Sequence, residues 1–243
     1  MKLILSTFPR SAKSFLQGLL LEYVNIPNNK SSIPSDYFNI DHDLGGGNSV
    51  VRGGKFRPTK IRKIKEAYFK NKTSGADRYG ISHDFKGALE IRDDIKYVTL
   101  NRENMIDQLE AFYRYTLNPY LGPRDLSIPD YKIERNLNIL KSFIKTRKPY
   151  YDYFINKWAN ADRKNIFNLE MYDFFKNPIK KFTECINFIE GGSSPSNEIL
   201  KNKRLMSTLE SMNYDLIKKS CQERISPETR CMIQEFINNE CNE

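Results

Sequence analysis

The chain has 243 residues, 39% hydrophobic and 12% aromatic, and a net charge of +9. This composition excludes a globally disordered polymer and suits one α/β domain over 1–243, with insertions, better than two small domains. No apolar run approaches the roughly 20 residues of a bilayer span, and the three apolar residues after Lys2 are far too few for a secretory signal. A cytoplasmic protein without a membrane partner is the expectation. The four cysteines (Cys185, Cys221, Cys231, Cys241) form no C-x-x-C, and there are only two histidines. A structural zinc site therefore has poor material, and reduced thiols are expected.

In chain order, Leu3-Ile-Leu5 reads as a buried strand. A Pro9-Arg-Ser-Ala-Lys-Ser14 loop follows, then Phe15, Leu16, Leu19, Leu20, Tyr23 and Val24 at helical spacing. Residues 25 to 58 contain Pro27, Pro34, Gly45 to Gly47, Gly53 and Gly54, the composition of a long binding loop. From Arg52 to Lys72 nine basic residues face one acid, Glu66, so this stretch holds most of the net charge. It points to an anionic partner, or to a solvated helix face backed by Ile61, Ile64 and Tyr68. Arg78–Ser82 is a short strand ending at His83, and Lys96–Asn101 a better one ending at Arg102. Asn104 caps the next helix, with Met105, Leu109, Phe112 and Thr116 on one face. A helix is predicted over about 131–147, and an aromatic segment from Tyr150 to Trp158 follows Pro149. Asn165–Glu170 is the next strand, a helix over about 176–190 stops at Gly191-Gly192, and Ser226-Pro227 opens a terminal helix. Alternating strands and helices predict a central parallel sheet flanked by helices, with a helical C-terminal part. Ligands of such sheets bind at the carboxyl ends of the strands, where the first loop, His83 and Arg102 should converge.

The opening strand–loop–helix is the chemically loaded element. Unpaired N–H groups of a first helical turn, the helix dipole, two cations (Arg10, Lys13) and two hydroxyls (Ser11, Ser14) make a phosphate cradle. Laid on the Walker A pattern, Lys13 and Ser14 fit, but Thr7 and Ala12 stand where both glycines belong. A kinase also needs a magnesium-holding carboxylate, and no aspartate ends a predicted strand.

Thr7-Phe-Pro-Arg-Ser-Ala-Lys-Ser-Phe-Leu16 resembles the T-[YF]-P-[KR]-S-G-T-[TS]-W-L loop of sulfotransferases that use 3′-phosphoadenosine-5′-phosphosulfate. Further blocks resemble that family in order: Ser82-His83-Asp84, Tyr97-Val-Thr-Leu-Asn-Arg102 and Glu170-Met-Tyr-Asp-Phe-Phe-Lys-Asn-Pro178, then Ile225-Ser-Pro-Glu. They cover about a third of the chain. The resemblance implies a P-loop NTPase-like three-layer sandwich, that donor as co-substrate, and no metal. It implies His83 as general base, Arg10 or Lys13 stabilising the leaving phosphate, and Ser11, Ser14 and the amides of residues 11 to 15 on the 5′-phosphate. Arg102 would grip the 3′-phosphate, or alternatively close a strand-end ion pair. Phe15 and Tyr172 would contact adenine, or alternatively belong to the core. His42, between two aspartates, competes with His83 as base.

The chain departs from the family at several of these points. Ala12 replaces a glycine, a mild change if that backbone position is helical. Glu110 stands where a phosphate-binding serine is expected, and the role is not carried over. The R-K-G-x-x-G loop is missing, with Lys218, Lys219 and Arg224 as nearby substitutes. Acceptor specificity is expected in 25–76 and 117–160, for a small-molecule or carbohydrate hydroxyl or amine, with the basic run favouring an anionic one. The alternatives are a P-loop kinase and, outside enzymes, a nucleic-acid-binding module using residues 52–72, which would leave the loop, His83 and Arg102 without a role.

Overall fold

The structure, a computed structural model, describes residues 2–8, 11–23, 79–82, 91–102, 104–117, 137–159, 163–192, 196–217 and 227–240. Four strands, β1 (Lys2–Thr7), β2 (Tyr79–Ser82), β3 (Ile95–Asn101) and β4 (Ile166–Glu170), form one sheet in the order β2-β1-β3-β4. Every pairing is parallel. The expected parallel α/β sheet is present, with each strand within two residues of its predicted span. Among the described residues the helices are α1 (Lys13–Tyr23), α2 (Met105–Leu117), α3 (Leu137–Phe154), α4 (Met171–Lys176), α5 (Pro178–Glu190), α6 (Ser196–Lys201), α7 (Lys203–Glu210) and α8 (Pro227–Glu240).

Strand alternation sorts the apolar side chains onto two faces. Leu3, Leu5, Val98, Leu100 and Leu169 pack with Leu16 and Leu19 of α1, Phe182 and Ile186 of α5, and Leu205 and Leu209 of α7. Ile4, Ile95, Tyr97 and Ile166 pack on the other face with Ile106 and Leu109 of α2, Phe154 of α3 and Ile233 of α8. Helices thus cover both sides of the sheet. No helix among the described residues is long and apolar enough to cross a membrane.

Helix ends follow local chemistry. The Asn104 side chain accepts the amides of Ile106 and Asp107 at 2.8 and 3.2 Å, the cap expected of it. Helix α5 stops at Gly191, whose φ of 88° is the left-handed conformation glycine adopts freely. The ammonium of Lys96 donates to the carbonyls of Phe188 and Ile189 at 2.6 and 3.2 Å, satisfying the last turn of α5. On the surface, Lys181 lies 2.8 Å from Asp173. Its hydrogen bond holds that carboxyl below the usual carboxylate range.

One expected break does not occur. Helix α3 is described from Leu137 and runs through Pro149 to Phe154, then continues as a π-helical turn over Ile155–Ala159. Proline removes one donor from the helix ladder. Burial outweighs that loss: Tyr150, Tyr151, Phe154 and Trp158 all enter the second core. Residues 137–159 of the expected acceptor segment are thus partly core, and residues 118–136 lie outside the described residues.

Candidate functional site

Parallel register brings the strand ends to one level. Ser6 pairs with Ser82 and Thr99, Thr7 with Leu100, and Asn101 with Glu170. The loop after β1, the chain after Ser82, Arg102, and Met171 after Glu170 therefore leave the same edge of the sheet. The apolar interior also turns polar there. Ser6, Thr7 and Thr99 are buried, and the Thr99 hydroxyl donates to the Asn168 side chain.

The loop after β1 is anchored by its neighbours. Phe8 is fully buried in the second core, with its ring edge-on to Tyr151 and Phe154 at 5.4 and 5.7 Å. The buried Ser11 hydroxyl donates to the Phe8 carbonyl at 2.6 Å. A hydroxyl has one proton to give, so Ser11 closes the loop on itself in this structure, and a bond from its proton to phosphate would require breaking that contact.

Ala12 is the decisive backbone position. Its carbonyl accepts the amides of Phe15 and Leu16 at 3.1 and 3.2 Å, so it starts α1, and its φ is 62°. The substitution is therefore not the mild one expected for a right-handed helical position. Left-handed backbone costs an L-residue about 1–2 kcal/mol that glycine does not incur. We expect Ala12→Gly to stabilise the protein by about 0.5–1 kcal/mol after glycine's greater chain entropy is subtracted. A denaturant midpoint that falls or stays constant would show that this residue is unstrained.

Lys13 opens α1, and Ser14 follows in its first turn, although the Ser14 side chain lies outside the described residues. Phe15 packs on Phe174 and Phe175 with centroids 6.5 and 5.5 Å apart, and is part of the first core's margin. Of the two roles open to it, the observed contacts are those of a core residue. Arg10, His83 and His42 lie outside the described residues, as do Lys218, Lys219, Arg224 and the basic run 52–72.

Arg102 and Tyr172 do come together, through a residue the sequence did not single out. Asp107 is 2% exposed. Its carboxylate accepts the Tyr172 hydroxyl at 3.2 Å and Nη1 of Arg230 at 2.6 Å, while its backbone carbonyl accepts Nη1 of Arg102 at 3.4 Å. The Arg102 main chain is pinned as well. Its amide donates to Gln108 Oε1 at 3.2 Å, and its carbonyl accepts the Tyr151 hydroxyl at 3.0 Å. Glu110, one turn beyond Asp107 on α2, is also buried. Helix α2 thus buries three polar side chains, Asp107, Gln108 and Glu110, in its first two turns, where its predicted apolar face gave no sign of them.

At the end of β4, Glu170 caps α4 by accepting the Asp173 amide at 2.7 Å. Among the described residues, no three His, Cys, Asp or Glu side chains cluster as metal ligands. No protein-family model matches the chain, and no curated protein does. The sequence signal that could have found Arg230 is its place in the first turn of α8. A cation there opposes the helix dipole and calls for a carboxylate from elsewhere.

Proposed function

We propose that the chain is a sulfotransferase of P-loop-like architecture, moving a sulfuryl group from 3′-phosphoadenosine-5′-phosphosulfate to a hydroxyl or amine. One observation carries this reading most of the way: the start of α1 and the Arg102 cluster leave the same edge of adjacent parallel strands. They offer anion-binding groups to both ends of one nucleotide. Lys13, the first-turn amides and Ser14 suit the phosphosulfate end, with Arg10 beside them in sequence. Arg102 suits the 3′-phosphate, and Tyr172, bonded to Asp107, borders the adenine side.

Transfer requires an in-line displacement at sulfur. The acceptor oxygen forms the new S–O bond as the bond to the bridging phosphate oxygen breaks. The acceptor's proton passes to His83, the residue after β2, because an imidazole is the side chain suited to taking a hydroxyl proton near neutral pH. Charge on the departing phosphate is stabilised by Arg10 and Lys13, the arginine acting without giving up a proton. The basic run at 52–72 favours an acidic acceptor such as an anionic carbohydrate or peptide. A reducing, cytoplasmic setting agrees with free thiols at Cys185 and Cys231; burial pushes the Cys185 thiol far up. Phosphoryl transfer has less support, because Glu170, a strand-end carboxylate, is occupied in capping α4.

The test is a thermal shift with 3′,5′-adenosine bisphosphate in the presence of a chelator. Stabilisation of the wild type is expected, and binding of ATP only with magnesium would favour a kinase instead. His83→Ala should keep this stabilisation and lose transfer. Retained transfer would move the base to His42.

A further inference from the structure

Helix α3 runs along the sheet and then past its edge. Phe8, two residues beyond Ser6, meets Tyr151 and Phe154. Trp158 meets Tyr97, which pairs with Ile4 lower on β1. The helix therefore descends from the carboxyl edge of the strands, and the turns before Tyr151 stand beyond that edge. Tyr151 itself bonds the Arg102 carbonyl there. At about 1.5 Å of rise per residue, Lys148, Lys145 and Lys141 lie roughly 5 to 15 Å further out.

Those turns are basic. Between Leu137 and Tyr151 there are four cations and no acid. Arg147 is turned to the rings of Phe143 and Tyr150, with Cζ 5.7 and 5.6 Å from their centroids. Lys141, Lys145 and Lys148 keep i, i+4, i+7 spacing and so share one face. Lys145 is exposed and the other two are half-buried. Lys148 also pairs with Asp152 one turn on at 2.6 Å. A solvated pair of this kind is weak and does not withdraw the lysine from a denser anion.

The rest of the face decides which polyanion fits. Asn138, Ser142 and Thr146 are the exposed polar residues beside the lysines. Phe143, Tyr150 and Tyr151, the aromatics of these turns, pack in the second core. No exposed ring is left on them for stacking bases, as single-stranded nucleic acids require. The exposed large apolar side chains among the described residues, Leu200, Leu216 and Met232, are on other elements, so an acidic peptide finds no anchor on this face. Ammonium groups flanked by hydroxyls and an amide suit a chain that carries anions and hydroxyls together.

We propose that the face formed by Lys141, Lys145 and Lys148 docks a linear acidic carbohydrate, carboxylated or sulfated, and holds it across the carboxyl edge as the acceptor. The inference rests on the sulfotransferase reading above and adds the class of acceptor and where it is held.

The experiment measures, by fluorescence anisotropy on the full chain, binding of a labelled dextran sulfate oligosaccharide at several salt concentrations. Unsulfated dextran is the neutral control and should not bind. Replacing all three lysines by glutamine should weaken binding about tenfold at low salt and reduce the slope of log Kd against log salt by about 2. Lys145→Gln alone, at the exposed position, should show part of the same loss and serves should the triple variant not fold. Arg163→Gln with Lys164→Gln removes two exposed cations next to the amino end of β4 and should change binding by less than about twofold. Equal losses in the two sets, or none in the triple variant, would overturn the docking face. A polyglutamate peptide of equal charge bound as tightly as the oligosaccharide would overturn the carbohydrate assignment. The triple variant should still be stabilised by 3′,5′-adenosine bisphosphate as the wild type is. A wild type that binds dextran sulfate but not the bisphosphate would instead overturn the sulfotransferase reading, and the acceptor role with it.

Discussion

Arg102→Ala is expected to abolish detectable stabilisation by 3′,5′-adenosine bisphosphate while leaving the fold in place. The backbone at residue 102 is held independently of its side chain, by the Gln108 side chain on its amide and the Tyr151 hydroxyl on its carbonyl. Truncation therefore removes the guanidinium without freeing the strand end. The Asp107 carboxylate does not become an orphan, because Arg230 and Tyr172 still bond it. What disappears is a buried cation at the carboxyl edge of β3. Losing a desolvated, hydrogen-bonded charge contact typically costs about 2–4 kcal/mol of binding, or roughly 30- to 1,000-fold in Kd. Calorimetric titration of both proteins checks this, and equal affinities would remove Arg102 from the site.

Phe8→Ala should have the largest effect on stability. The side chain is fully buried, edge-on to two aromatic rings, in the core that α3 and α8 share with the sheet. Deleting a buried phenyl group costs about 3–5 kcal/mol in lost transfer energy and cavity formation. For a chain of this size that corresponds to a fall in Tm of roughly 10 °C. The Phe8 carbonyl also accepts the Ser11 hydroxyl, so relaxation around the cavity would loosen the loop that leads into α1. Urea unfolding should show a lower midpoint at unchanged slope. A loss below about 1 kcal/mol would mean that the site repacks around the missing ring.

The strands were legible because each is a short apolar run with turn chemistry on either side, as in Leu3–Leu5 and Tyr97–Leu100. Caps with a single local cause were legible too, such as Asn104 before α2 and Gly191 after α5. The course of α3 was not. Pro149 carries a strong local signal for a break, and only the burial of Tyr150, Tyr151 and Phe154 on a face formed by distant strands overrides it. The same limit applies at the site. Arg102 and Tyr172 could be picked out one at a time, but Asp107 binds them to Arg230 across 123 residues. Nothing in the spacing of α2 distinguishes a buried Asp107 or Glu110 from a solvated one. Ala12 shows the converse case: the residue stands out in the sequence, and its backbone angle is not readable from its neighbours.

The residues at the two ends of the opening loop belong to different layers of the protein. Phe8 is rooted beneath α3 on one face of the sheet, and Phe15 lies against α4 on the other. The segment between them works as a rivet through the edge of the sheet. Much of the entropy lost in fixing its ends is lost when the chain folds, before any ligand arrives. An anion gripped at this point would also bear on both layers at once, so its binding should raise the cooperativity of the whole domain rather than stiffen one helix.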